Sequence, residues 1–264
     1  MELFKYPRTP HIEGSRLQPG DEDLDAVAFD VIAGRSVVIE EKVDGANAGI
    51  SFSPEGELFL QSRGHFLTGG GREKHFALFK RWAASHSDSL WSILGNRYTL
   101  YGEWLYAKHT IFYDALPHYF FEFDLRDRQT GTFLSTPERQ ALLAGSPVRS
   151  VPILFSGKLE KSAQLGQYLG TSRFISPNHR ENLRVASESL GLREELTLKQ
   201  TDPGANMEGI YIKVEEDGKV VERYKYVRAS FLAAVDQSGS HWLNRPILPN
   251  QLLANVDLFA PKLP

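Results

Sequence analysis

Glu41-Lys42-Val43-Asp44-Gly45-Ala46-Asn47 stands where one β-type segment, SVVIEEKV (36–43), ends and another, ANAGISFS (46–53), begins. Side chains alternate across a strand, so Lys42 and Asp44 share a face, and Gly45 permits a sharp turn between the two segments. A lysine attacks an electrophile only as the neutral amine, so a nucleophilic Lys42 needs cations or desolvation to lower its pKa. Asp-Gly is also an ordinary turn sequence. Taken alone, the stretch is a weak signal, and an ordinary turn is the better reading.

Three further β-type segments follow, ELFLQSR (57–63), RYTLYGEWLY (97–106) and HYFFEFDLR (118–126). Two more come late, GIYIKVEED (209–217) and KVVERYKYV (219–227). Pro54-Glu55-Gly56-Glu57 and Asp217-Gly218 have the turn chemistry of hairpins. Helical spacing is read over 24–33, where Leu24, Val27, Ala28, Val31 and Ile32 share a face before a stop at Gly34. It recurs after Gly69-Gly70-Gly71, where Phe76, Phe79, Trp82 and Ala83 line up. Thr136-Pro137-Glu138 resembles a helix start with proline in the first turn. Further helical patterns fall at 159–170, 179–191 and 229–236. The pattern predicts an α+β chain built round antiparallel strands, without internal repeats or low-complexity tracts.

Bulk properties exclude several classes. The 264 residues are 41% hydrophobic and 24% charged, an ordinary globular composition with apolar content for one large core or two modest ones. No apolar run approaches the ~20 residues that span a bilayer. The start, MELFKYPRTP, lacks a secretory apolar stretch, so a cytoplasmic location without membrane attachment is expected. Cysteine is absent, which removes disulfides, thiolate metal sites and a cysteine nucleophile. A net charge of -3 argues against coating nucleic acid through bulk charge but leaves room for a local basic groove.

Charged residues recur at the ends and centres of the later strands. Ser62-Arg63-Gly64 sets a guanidinium beside a glycine where a phosphate or ribose can approach. Glu103 interrupts the apolar run Tyr101-Gly102-Glu103-Trp104. Phe121-Glu122-Phe123-Asp124 offers Phe123 as a stacking ring, Glu208-Gly209 opens the next strand, and Arg223 and Lys225 share a face on the last. Taken singly, each is better read in an ordinary way: Arg63 as a surface ion-pair partner, Glu103 and Glu208 as rim carboxylates, Phe123 as core. Gly69–Gly71 is no P-loop, since no Gly-Lys-Ser/Thr follows; it is read as a flexible loop. His11 and Gly14-Ser15-Arg16 are read as packing of a lead-in segment.

In this order the segments resemble the covalent nucleotidyltransferase superfamily of ligases and mRNA capping enzymes, nearest to the ATP-dependent RNA ligases. Lys42-Val43-Asp44-Gly45 is similar to that family's nucleophile motif, with Asn47 matching the asparagine of the RNA ligase branch. Ser62-Arg63-Gly64, Tyr101-Gly102-Glu103, Phe121 to Asp124 and Met207-Glu208-Gly209 match the motifs that follow. The family's final Lys-x-Lys is imperfect here: Lys225 pairs with either Arg223 or Val227. The likeness runs from about residue 35 to 231.

The resemblance implies a nucleotidyltransferase (ATP-grasp-like ligase) domain of antiparallel sheets flanked by helices over 35–235. A lead-in segment (1–34) and a packing tail (236–264) flank it, with no clear OB domain. It implies ATP, a lysyl-AMP on Lys42, Mg2+ or Mn2+, and RNA as partner, whether a nick, a single strand or a mixed RNA–DNA end. Catalytic roles fall on Lys42, Asp44, Arg63, Glu103, Glu208 and Lys225. Nucleotide contacts fall on Glu41 (through its backbone), Asn47, Arg63, Glu103, Phe123, Lys213, Arg223 and Lys225. Metal ligation falls on Glu103, Glu208, Asp124 and Asn47. The alternatives are a compact DNA ligase, a capping enzyme, and a nucleic-acid-binding module whose nucleotide pocket has lost its chemistry.

Overall fold

The alternating segments become strands of one twisted sheet. The computed structural model describes residues 2–17, 26–239 and 242–261. Its strands are β1 (His11–Ile12), β2 (Ala26–Val27), β3 (Val37–Lys42), β4 (Ala46–Phe52), β5 (Leu58–Ser62) and β6 (Tyr98–Trp104). They continue as β7 (Phe120–Asp127), β8 (Phe133–Leu134), β9 (Arg149–Ser150), β10 (Ile153–Gly157), β11 (Gly209–Glu216) and β12 (Lys219–Val227). The main path runs β10-β3-β11-β12-β8-β7-β6-β4-β5, antiparallel throughout. The two-residue β8 bridges two halves, β10-β3-β11-β12 and β7-β6-β4-β5.

Each half carries its own apolar layer. Ala46, Ala48, Ile50 and Phe52 of β4 pack with Phe79 and Trp82 of α1 (Ala77–Ser85) and Leu90 and Leu94 of α2 (Ser87–Leu94). The second layer joins Val37 and Ile39 of β3 to Ile210, Ile212 and Val214 of β11. Among the described residues four more α-helices follow: α3 (Thr136–Leu143), α4 (His179–Ser189), α5 (Glu194–Lys199) and α6 (Ala229–Ser238). Proline sits in the first turn of α3 as expected, and Glu215 of β11 accepts both the N–H (2.8 Å) and the hydroxyl (2.6 Å) of Thr136. At Asp217-Gly218 both φ angles are positive, 48° and 75°, the geometry of a tight hairpin turn.

The helix read over 24–33 is not formed. Leu24 lies outside the described residues, Ala26–Val27 pairs in parallel with His11–Ile12, and Phe29–Val31 makes a single 3-10 turn. Of the residues in that pattern only Ile32 is buried, Val27 and Val31 are half-buried and Ala28 is exposed, while Phe29, outside the pattern, turns into the core. A β-branched stretch this short gains more from a neighbouring strand than from one isolated helical turn. Residues 162–168 likewise close as a 3-10 helix rather than an α-helix.

The helix-covered layer holds a titratable group with a testable consequence. His118 is buried edge-on to Trp82, and its Nδ1 accepts the N–H of Phe120 at 2.9 Å. Burial, only partly countered by backbone hydrogen bonds, pushes its pKa down to about 4. An unfolded histidine titrates near ~6.5. Between those values the unfolded chain takes up a proton that the folded one refuses, so this group's contribution falls as pH drops, by at most about 3 kcal/mol. His118→Asn keeps an acceptor near Nδ1 and removes the titration. The stability lost by the wild type between pH 7 and pH 4.5 should therefore exceed the variant's loss in urea unfolding. Equal losses would mean that His118 does not titrate in that window.

Candidate active site

Lys42 ends β3 in one half of the sheet, and Ala46 begins β4 in the other. Val43-Asp44-Gly45 is therefore the crossing between the halves. Gly45 is required there for close approach rather than for an unusual φ, because an added Cβ would lie 2.8 Å from the Trp104 carbonyl oxygen. At Gly209 a Cβ would fall inside the Tyr226 carbonyl, so β11 and β12 close at that point only around glycine. The register pairs Gly209 with Lys42 and Glu103 with Asn47, which draws four distant segments to one place.

Lys42 Nζ lies 2.6 Å from Glu208 Oε1, with 22% of the lysine side chain and 3% of the glutamate exposed. Burial pulls the lysine pKa down, but Glu208, Glu103 and Asp44 outweigh it and the net shift is upward. Without a ligand, Lys42 is thus a firmly held ammonium. Glu103 is pushed up to about 8, first by burial and then by Glu208 and Asp44, against the pull of Lys42 and Arg63. Asp44 is pushed up to about 6, mainly by burial, while the backbone N–H groups of Ile111 and Thr110 restrain it. Both N–H groups reach Asp44 Oδ2 at 2.7 Å, so Asp44 also ties the crossing to the loop beyond β6.

Lys42 and Glu103 line a cleft of about 730 Å³, mouth included, between the two halves, with Glu208 held against it through Lys42. Arg63 and Lys225 face it from opposite halves, and Asn47 and Glu41 stand beside Lys42. The Asn47 Oδ1 atom is buried without a hydrogen-bond partner, an oxygen left for an incoming group. Burial pushes the Glu41 carboxyl up to about 7, with Ser172 and Arg173 acting the other way. Phe123 reaches the cleft through a β-bulge: Tyr101 and Gly102 of β6 pair with Asp124 and Glu122, leaving Phe123 unpaired and re-aimed.

A family model described as RNA ligase matches residues 35–227. The chain belongs to the RNA ligase family. Among solved structures, Naegleria gruberi RNA ligase with pyrophosphate is similar at a TM-score of 0.51 and 19% identity, over 88% of this chain and 57% of that one. A variant of the same ligase with AMP and Mn gives 0.53 and 17%, over 89% and 59%. This chain therefore spans somewhat over half the length of those ligases, and at such identity the likeness is one of fold. No curated protein matches the chain significantly in sequence.

In this RNA ligase family member, three expected site residues turn away from the cleft. Asp124, expected as a metal ligand, is fully buried, hydrogen-bonded by Tyr6 and flanked by Lys213 (3.2 Å) and Arg223 (3.3 Å). Lys213 and Arg223, expected at the nucleotide, are committed to that carboxylate, and the Arg223 guanidinium lies 4.1 Å over the Phe133 ring. Val227, the other reading of the second basic position, is core. Neither alternative puts a second cation of that motif in the cleft.

Glu40 and Glu122 complete the cluster around Arg139, whose Nη1 is 3.2 Å from Glu122 and whose Nη2 is bonded to Glu40; Lys213 Nζ is 2.9 Å from Glu40. Arg139 and Lys213 also both donate to the Phe123 carbonyl, which pins the bulge that aims its ring. Sequence reasoning missed Arg139 altogether, and with it Tyr6, Thr9 and Tyr211, which close the cleft from the lead-in segment and β11. One signal was present: two adjacent glutamates, 40 and 41, in an apolar strand must bury one on each face. His11 and Ser15 do pack, joined at 2.7 Å, with the serine hydroxyl accepting the Val227 N–H.

Proposed function

We propose that this protein is an ATP-dependent RNA ligase that adenylates Lys42 and uses the adenylate to join a 5′-phosphate to a 3′-hydroxyl. The observation that carries this reading is the Lys42–Glu208 pair at 2.6 Å, set in a cleft with Glu103 and Asn47. Naegleria RNA ligase structures with ATP and Mn, AMP and Mn, and pyrophosphate belong to the same fold. We assign the chemistry to residues 35–235, with 1–34 and 236–264 as flanking elements.

Glu208 Oε1 accepts the proton of Lys42 Nζ, and the freed amine attacks the α-phosphorus of ATP. A phosphoramidate N–P bond forms, the bond to the β-phosphate oxygen breaks, and pyrophosphate leaves with the electron pair. Arg63 and Lys225 neutralise phosphate oxygens in a partly dry cleft, where such donors count for more than in water. Phe123 stacks on the adenine, and the Glu41 backbone meets its edge. In the second step the RNA 5′-phosphate attacks the adenylate, AMP passes to the RNA, and the N–P bond to Lys42 breaks. The 3′-hydroxyl then displaces AMP.

Among the described residues no group of three or more His, Cys, Asp and Glu is placed to hold a metal. The oxygen donors present, Glu103, Glu208 and the unpartnered Asn47 Oδ1, suit magnesium, which takes one or two carboxylates and fills its shell with water and substrate phosphate. A divalent cation held there supplies positive charge that lowers the lysine pKa and stabilises charge on phosphorus.

The reading is tested by incubating the protein with ATP, magnesium and RNA carrying 5′-phosphate and 3′-hydroxyl ends. Adenylated and joined RNA should appear on a denaturing gel; RNA bound but never adenylated would sink the proposal. Glu208→Gln keeps the shape of the pair and removes the proton acceptor. Its rate of AMP uptake should fall by roughly 100-fold or more, read by intact mass, and an unchanged rate would remove Glu208 from that role.

A further inference from the structure

A second cavity, about 850 Å³ with its mouth, lies on the same sheet face as the active-site cleft, away from α1 and α2. On β4, Asn47 lines the cleft and Ser51 the cavity; on β6, Glu103 and Thr99 divide in the same way, and on the β5 side Arg63 and Gln61. Four residues of extended chain separate Asn47 from Ser51, roughly 13 Å. Between the two spaces runs the strap of residues 4–6. Its Phe4 carbonyl accepts Gln61 Nε2 (2.9 Å) and the Tyr101 hydroxyl (3.0 Å), and its Tyr6 ring packs on Tyr101.

The lining is polar and cationic. Ser51, Gln61 and Thr99 are buried, and Thr99 Oγ1 makes no hydrogen bond to any described residue. Arg126 and Arg128 enter from β7 and the residue just past it. Arg128 is anchored by donating to the carbonyls of Phe52 (2.9 Å) and Asn96 (3.1 Å). Arg126 stacks 3.6 Å from the Phe4 centroid, makes no hydrogen bond or ion pair among the described residues, and keeps its Nε buried without an acceptor. Against these two guanidiniums the lining offers one carboxylate, Glu2. A half-buried guanidinium with idle donors beside a second one is an arrangement that receives a phosphate, whose oxygens match the fork.

We propose that this cavity is a second phosphate site, in which Arg126 and Arg128 hold a backbone phosphate of an RNA strand leading into the cleft. A free polyphosphate such as pyrophosphate presents the same oxygens, and the two sources separate by experiment. Only the choice of RNA rests on the ligase reading. The cavity would lengthen the footprint on one strand beyond the joined ends, with the strap as the divider between the reacting and the holding positions.

The test is fluorescence anisotropy of a labelled single-stranded RNA blocked at both ends, without ATP, over a series of salt concentrations. Arg126→Gln should weaken binding by roughly ten- to a hundredfold and lower the slope of log affinity against log salt by about 1. Thr99→Val, nearly isosteric, should weaken it several-fold and guards against misfolding of the arginine variant. AMP uptake by both variants should match the wild type. Inorganic pyrophosphate is titrated in parallel by calorimetry: heat lost in Arg126→Gln while RNA affinity is unmoved would assign the site to free polyphosphate and overturn the RNA part. Unchanged affinity for both probes would overturn the site. A wrong ligase reading would show differently, as no AMP uptake by the wild type, and would leave the binding comparison standing.

Discussion

Lys42→Arg and Lys42→Ala are both expected to take up no AMP, while the wild type gains the mass of one adenylate after incubation with ATP and magnesium. The two variants divide the possible causes between them. Alanine removes the nucleophile but also leaves Glu208, 3% exposed, without its partner at 2.6 Å. Arginine keeps a cation against Glu208, so the cleft retains its charge balance. A guanidinium cannot be deprotonated in a protein, and it has no amine to give to phosphorus. Loss in both with a preserved melting temperature for Lys42→Arg would place the bond on Lys42 Nζ. An adduct persisting in either variant would refute the assignment, and the proposed second and third steps would fall with it.

Arg139→Met is expected to cost about 3–5 kcal/mol, a large part of the ~5–15 kcal/mol that holds a domain folded. Arg139, Glu40 and Glu122 are each fully excluded from solvent. Removing the guanidinium leaves Glu40 with Lys213, and Glu122 with the Ser150 hydroxyl and the more distant charge of Lys213. Burial already pushes the Glu122 carboxyl upward in spite of Arg139. The double variant Arg139→Met/Glu122→Gln removes the stranded charge, so it should be more stable than the single variant, which is non-additivity of the kind that contacting residues show. Urea unfolding measures both. A single variant within about 1 kcal/mol of wild type would mean that the cluster is wetter or more adaptable than its burial indicates. Where the single variant still folds, its loosened Phe123 bulge should also raise the ATP concentration needed for adenylation.

The strands were legible because each is a local pattern bounded by local turn chemistry. The segments read at 36–43, 46–53, 57–63, 97–106 and 118–126 return as β3 to β7 with ends moved by one or two residues. Glycine at the crossing was also visible, although its reason is the nearby Trp104 carbonyl rather than backbone freedom. The short apolar run at 24–33 misled because its spacing suits a helix and its burial suits any inward-facing segment. The choice was made by β1, a partner from another part of the chain.

The sequence by itself determined where charged residues fall along the strands and so singled out Lys42, Arg63, Glu103, Glu208 and Lys225, with Asn47 added by the family resemblance; the fold gathers these six around one cleft. Only the tertiary structure decided which strand face looks into that cleft. A one-residue slip exchanges the faces of a strand, and the β7 bulge is such a slip: it sends Phe123 to the cleft and Asp124 to the buried cluster. The same holds for Lys213 and Arg223, whose partners lie on β3 and β7 and are set by strand order, and for Arg139, which sits in an ordinary-looking helix. Alternation along a chain is a property of the backbone, whereas the identity of the facing partner is settled when non-local strands pair and the unpaired charges are forced out of water together.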